Sequence, residues 1–274
     1  MRKYISYLFI LFLALTSLKV YTQGCSDAGF CTMGAMRPGQ PYSKNTNITL
    51  KSIELSQYIG ITRLNDQIYA TALDFNIGIS EKDAIQFKLP YMSTVGPLGQ
   101  SQGVGDISMS YTRTLLRTAK NQLNFTTGTK IALGNADKSI ADKPLPMYYQ
   151  QNLGTYDLIF GLSFLSDKWL IATGLQYPLN SNKNQFSWKP WIAEGFDAET
   201  VKKHPSSIDL DRGKDVMLRI ERSVRMSNWG ISLGLLGIYR LNEDTRTNPS
   251  TQQREKVKDS DGLALTAIIG LKYS

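Results

Sequence analysis

The sequence predicts an all-β protein, an antiparallel transmembrane β-barrel of ten strands, with twelve as the alternative count. Three observations predict it. Ten segments alternate apolar and polar residues, the connections between them alternate short and long, and aromatic residues gather at the segment ends. Side chains on a strand point to opposite faces with period two, so alternation gives each strand one apolar face. Ala84 to Tyr91 shows this most plainly. Ile85, Phe87, Leu89 and Tyr91 form the apolar stripe, and Ala84, Gln86, Lys88 and Pro90 the other face.

The strands are expected over 48–60, 67–79, 84–92, 106–117, 122–133, 156–165, 168–179, 215–225, 229–241 and 262–273. A bulge near Ser52 and Ile53 reconciles the two phases of the first. The last sets Leu263, Leu265, Ala267, Ile269, Leu271 and Tyr273 on one face. A closing strand that ends in an aromatic resembles the C-terminal assembly signal of bacterial outer-membrane proteins. That implies the barrel-assembly machinery as a partner during biogenesis.

The connections at 80–83, 118–121, 166–167 and 226–228 are short; those around 64–66, 93–105, 134–155, 180–214 and 242–261 are mostly longer. Barrels of the outer membrane have short periplasmic turns and long outer loops, so both termini are expected in the periplasm. In that topology Tyr58, Tyr69, Tyr91, Tyr156, Tyr177 and Tyr239 fall at outer strand ends. Phe164, Trp169, Trp229 and Tyr273 fall at periplasmic ends. Amphipathic rings prefer the two membrane interfaces. A soluble sandwich shares the alternation but has no reason to segregate aromatics in this way.

Met1-Arg2-Lys3 and the apolar run from Tyr4 to Leu18 read as a secretory signal over 1–22, too short to span a bilayer as a helix. Residues 23–47, rich in Gly, Ser, Pro and Asn, are expected to be a periplasmic segment or a small plug, and 48–274 the barrel. Loss of Arg2, Lys3 and Lys19 with the signal lowers the net charge from +8 to +5. The cations are scattered and carry no nucleic-acid motif, so no nucleic-acid partner is expected. On an outer-membrane barrel they suit the phosphates of membrane lipids and lipopolysaccharide. Cys25 and Cys31 are expected to form a disulfide in an oxidising compartment; lipidation of Cys25 is the alternative, which Tyr21-Thr22-Gln23-Gly24 fits poorly. Two cysteines and a single histidine supply too few ligands for a metal centre, and no motif calls for a cofactor.

By parity the lumen face carries Asp74, Lys88, Asp106, Lys130, Asp157, Arg219, Glu221 and Lys272 as its charged candidates, among Asn76, Gln86, Ser108, Ser110, Thr112, Gln122, Asn124 and Gln176. Charges inside a narrow barrel are costly unless paired or hydrated. Ten strands lie near the number at which side chains fill the interior, so a plugged or very narrow lumen is expected. No catalytic residue is assigned. His204, in the longest loop, reads as a solvated loop histidine without a nucleophile signature around it. Asp209 and Asp211 beside it match no calcium-loop spacing. Phe186, Trp188, Trp191 and Phe196 in the same loop are expected to cap the mouth or pack into it; a recognition surface is the alternative.

Gly103-Val104-Gly105-Asp106 opens a strand rather than a helix, so it lacks the helix N-terminus that would bind phosphate. The run from Gly103 to Tyr111 resembles the Gly-x-Gly-Asp strand start of small outer-membrane barrels grouped with the phenol meta-pathway family. The resemblance covers about one hairpin. It implies an outer-membrane location and transport of aromatic or hydrophobic compounds. The sequence-level expectation is therefore a narrow channel or transporter for small solutes. The alternatives are a structural or surface-interaction barrel with working outer loops and, last, a membrane-embedded hydrolase.

Overall fold

The computed structural model describes residues 49–226 and 229–273. The expected signal, the 23–47 segment and the Cys25–Cys31 pair lie outside them, as do the side chains of Lys272 and Tyr273.

Ten long strands follow one another in a single antiparallel sheet, each of 10–14 residues. They are β1 (Thr49–Ile61), β2 (Gln67–Gly78), β3 (Asp83–Gly96), β5 (Ile107–Arg117), β6 (Asn121–Ile131), β9 (Asp157–Ser166), β10 (Trp169–Pro178), β11 (Asp215–Met226), β12 (Trp229–Arg240) and β15 (Gly262–Tyr273). A tilted strand of about 9–11 residues crosses a hydrocarbon core. Each strand pairs with its neighbour in the chain-order path, and the sheet curls into a half-barrel. Among the described residues no ladder joins β1 to β15. No helix among them is long and apolar enough to cross a membrane, which says nothing of strands.

The boundaries fall within a few residues of those expected, and the first-strand bulge is real: the β1–β2 register shifts between Leu50 and Ser52. One element differs. The connection expected over 93–105 is instead a hairpin, because β3 runs on to Gly96 and folds back as β4 (Gly99–Val104). Gly105 then passes close to the next long loop. A Cβ there would stand 3.0 Å from the Gln151 carbonyl oxygen and 3.1 Å from Pro90 Cγ.

Burial alternates as the sequence pattern requires. On β9, Asp157, Ile159, Gly161 and Ser163 are buried, while Leu158, Phe160, Leu162 and Phe164 are exposed. The same inversion holds on β10 and β11, where Ile171, Leu175, Leu218 and Ile220 face out. The exposed face is thus an apolar belt suited to lipid rather than water. Its rims carry the aromatics. Tyr58, Tyr69, Tyr91, Tyr156, Tyr177 and Tyr239 are exposed at the long-loop end, and Phe164, Trp169 and Trp229 at the short-turn end. Lys214 Nζ lies 4.7 Å over the Tyr177 ring and the Arg222 guanidinium 5.3 Å over Trp169, which places cations beside rings at both rims.

The long loops fold into a second body. They contain β7 (Ser139–Ile140), β8 (Lys143–Pro144), a 3₁₀ turn at Met147–Tyr149, helices α1 (Trp188–Ala193) and α2 (Ala198–Lys202), and the hairpin of β13 (Thr245–Thr247) with β14 (Arg254–Lys256). Asp197 caps α2 by accepting from the Thr200 amide at 2.8 Å. Leu98, Leu145, Tyr149, Phe186, Trp191 and Val201 form one buried apolar cluster, with Trp188 against it. This dome stands at the long-loop end of the half-barrel.

Candidate functional site: the charged inner face and its dome

The inner face of the half-barrel divides into two walls. On β2, β3, β5 and β6 it is polar, with Asn76, Gln86, Ser110, Thr114, Asn124 and Thr126 buried. Hydrogen bonds run across the strands: Thr114 Oγ1 to Asn124 Oδ1 at 3.0 Å, then Asn124 Nδ2 to Ser163 Oγ at 3.2 Å. On β9 to β12 an apolar patch interrupts the polar lining, made of Ile159, Ala172, Met217 and Leu236, with Ile238 and Ile268 packed against it.

The charges on this face are arranged in pairs. Lys130 Nζ stands between Asp106 Oδ2 at 3.0 Å and Asp157 Oδ2 at 3.2 Å. Gln176 Nε2 donates to the same Asp157 oxygen at 2.5 Å. Asp74 accepts from Gln86 Nε2 at 2.9 Å and sits in register with Lys88 on the next strand. Arg219 Nη2 reaches Glu221 Oε2 at 2.8 Å, two positions along β11 on the same face. In a low-dielectric interior an unpaired charge is far more costly than in water, and this pairing answers that cost. Asp74, Asp157, Arg219, Glu221 and Lys130 are buried; Lys88 and Asp106 are half-buried. Lys272 pairs in register with Gly230 at the end of β15.

The parity reading left out a buried ionic cluster of Arg212, Asp215, Arg240 and Asp244. Arg240 grips Asp215 with two bonds, Nε to Oδ1 at 2.9 Å and Nη2 to Oδ2 at 3.1 Å, and reaches Asp244 Oδ2 at 3.0 Å. Arg212 Nη2 lies 3.6 Å from Asp215 Oδ2. Burial pushes the Asp244 carboxyl above its ordinary value, against the pull of Arg240. Asp215 shares parity with Arg219 and Glu221, so the period-two signal was available for it. Arg240 and Asp244 sit where strand gives way to loop, and parity loses its meaning there.

The expectation of a solvated His204 is overturned. The imidazole is 1% exposed. Its Nε2 lies 3.4 Å from Asp66 Oδ2 and its Nδ1 3.3 Å from the Thr200 carbonyl oxygen. Phe186 meets it edge-on and Tyr149 at a tilt, with ring centroids 6.4 and 6.1 Å away. Asp66, in the β1–β2 loop, also accepts from Tyr149 Oη at 2.6 Å and Thr62 Oγ1 at 2.9 Å. Burial raises the Asp66 carboxyl, but the bonds from His204, Tyr149 and Thr62 together outweigh it and hold the group below its ordinary value. Burial first, then the Asp66 carboxylate, push the Tyr149 phenol well above its own. A Cβ at Gly96 would strike both Tyr149 Oη and Asp66 Oδ1, so only glycine fits beside this bridge. His204 therefore fastens the dome to the first barrel loop. Asp66 and Tyr149 are distant from it in the chain, and nothing local in the sequence announces them.

The aromatic cluster of the same loop takes its packing role. Phe186 and Trp191 are buried, Trp191 Nε1 donates to the Pro144 carbonyl at 2.9 Å, and Phe196 meets Trp191 edge-on at 4.9 Å. Asp209 accepts from Thr247 at 3.1 Å and Asp211 pairs with Arg254. No group of three or more potential metal-ligating side chains occurs among the described residues.

An antiparallel sheet with an apolar outer belt, two aromatic rims and a charge-paired inner face defines a class: the half-barrel has the construction of proteins whose strands meet lipid. No family model and no curated protein matches the sequence. Among solved structures, the crystal structure of an outer membrane channel from Pseudomonas putida F1 superposes with a TM-score of 0.50 at 12% identity, covering 86% of this chain and 98% of that one. At that identity the likeness speaks to the fold: this chain has the fold of an outer membrane channel.

Proposed function

We propose that this protein is an outer-membrane barrel that acts as a narrow channel or transporter for small solutes, its short turns and both termini in the periplasm and its dome outside. The observation that carries this reading is the polarity inversion along β9, β10 and β11: lipid-compatible residues outside, paired charges and amides inside. The channel fold of the Pseudomonas structure supports the same reading. A solute with a hydrophobic or aromatic part agrees with the resemblance of the Gly103–Tyr111 strand start to the phenol meta-pathway barrels.

Single-channel conductance of the refolded mature protein in a planar bilayer tests it. Reproducible steps whose ion selectivity shifts in Lys88→Glu or Arg219→Glu support transport. A silent bilayer that contains folded protein overturns it. That outcome favours the second reading, a surface-interaction barrel, for which the specific observation is the apolar core of the dome over the long-loop end.

A further inference from the structure

The long-loop end of the half-barrel holds a cavity of about 480 Å³, between β4 and the loop that precedes β9. That volume lies within the range of small-molecule pockets, about 300–1,000 Å³. Strand β4 pairs with β3 alone, so its other edge has no ladder partner among the described residues. Gln100, Ser101 and Gln102 line the cavity from β4, and Ser93 of β3 stands in register with Gln102. Asn135, Lys138, Ser139 and Leu145 close it from the loop. Both walls are held from behind. The Lys138 amide donates to Gln150 Oε1 at 2.8 Å, and Gln150 Nε2 donates back to the Lys138 carbonyl at 3.0 Å. Gln151 Nε2 donates to Ser101 Oγ at 2.7 Å. Walls fixed in advance spare a ligand the cost of ordering them.

The lining is close to neutral and rich in hydrogen-bonding groups. Six of its eight residues carry a carboxamide or a hydroxyl, and Lys138 is the one charged residue. Its ammonium already donates to the Gln102 carbonyl. Leu145, the one aliphatic residue of the lining, is 1% exposed. The side-chain amides of Gln100 and Gln102 and the hydroxyls of Ser93 and Ser139 make no hydrogen bond to other described residues. A carboxamide and a hydroxyl each donate and accept. The matching ligand therefore offers donors and acceptors side by side and carries no charge, which is the character of a ring of hydroxyls. An organic anion finds a single cation here, and an apolar body finds almost no apolar wall.

We infer that this cavity is a binding site for a small neutral saccharide, its hydroxyls on the amides of Gln100, Gln102 and Asn135 and the hydroxyls of Ser93 and Ser139. The site goes beyond the channel reading and stands or falls without it, because binding needs no conduction.

The test uses the full mature chain folded in micelles of a sugar-free detergent, with fold checked by circular dichroism and heat-modifiable migration. Maltose, trehalose and N-acetylglucosamine are titrated and followed by saturation-transfer NMR. Saturable binding of at least one is expected. Gln100→Leu and Gln102→Leu should each weaken it roughly fivefold, the worth of one neutral hydrogen bond. Both side chains are exposed on β4, so neither change disturbs a packed core. Failure of all three sugars to bind saturably, or undiminished affinity in both leucine variants, overturns the site. Glucose 6-phosphate that binds about tenfold tighter than the neutral sugars, and loses that gain in Lys138→Met, overturns the neutral class in favour of an anion. Tetra-alanine that binds where the sugars do not overturns it in favour of a peptide strand on the free edge of β4. A silent bilayer leaves each of these outcomes unchanged.

Discussion

On β9 the apolar residues Leu158, Phe160 and Leu162 point away from the protein, and Asp157 and Ser163 point into it. In the dome the order is reversed: Phe186, Trp191, Val201 and Tyr149 are enclosed, and Lys202, Lys203 and Glu199 are exposed. One chain builds two bodies with opposite polarity. The dome is held by the ordinary hydrophobic effect, which needs water outside. The half-barrel is held by strand ladders and paired charges, and its exposed face is apolar, of a kind suited to lipid. The two meet at the bridge of Asp66, His204 and Tyr149.

Two substitutions should break this contrast most strongly. Trp191→Ala empties the centre of the dome and should cost about 3–5 kcal/mol there. Hydrogen exchange should then quicken over 186–204 while β9 and β10 stay protected; equal loss in both bodies would deny that they are separate. Lys130→Met leaves the Asp157 carboxylate buried without its cation, at about 3–5 kcal/mol. The expected result is a lower midpoint for heat-modified migration of the refolded barrel, with the dome unaltered.

The two faces of one strand sharpen the comparison further. Leu162→Arg on the outer face should cost about 2–4 kcal/mol in a bilayer. Ser163→Ala on the inner face removes one hydrogen bond to Asn124 and should cost about 1 kcal/mol. Unfolding titrations in lipid vesicles compare them, and a reversed order would mean that the faces are misassigned.

The smallest effect is on pH dependence, and it belongs to the bridge. Asp66 is held below its ordinary value of 3.8, so its contribution is present above that value and is lost as the pH falls through the depressed one. Tyr149 is held above its ordinary value of 10.0, so its contribution is complete below that and fades as the pH rises beyond. Protease resistance of the loop 179–214 should fall beyond each of those limits, and Asp66→Asn should remove the acid limb.

The half-barrel was legible because a strand writes its environment into every second residue. Ile85, Phe87 and Leu89 needed only their own neighbours to be placed, and the ten strand positions followed. The same parity set Lys130, Asp157, Arg219 and Glu221 off the apolar face, and all four are buried. The dome was not legible, because it has no period. His204 is buried by Asp66, Tyr149 and Phe186, which arrive from three different connections. A Lys-Lys-His-Pro-Ser-Ser segment looks solvated until those partners are known. The β3–β4 hairpin was missed for a related reason: the run Gly99-Gln-Ser-Gln-Gly103 has little apolar alternation, since that part of β4 packs on loops rather than on lipid.

The dome's core has a consequence for the order of events in biogenesis. Leu98 comes from the β3–β4 turn, Leu145 and Tyr149 from the loop before β9, and Phe186, Trp191 and Val201 from the loop before β11. None of these side chains can be enclosed until all three connections have arrived on the same side of the sheet. The dome is therefore a completion mark. A chain with one loop stranded would carry Trp191 and Phe186 uncovered. Closure of this cluster requires all three connections together.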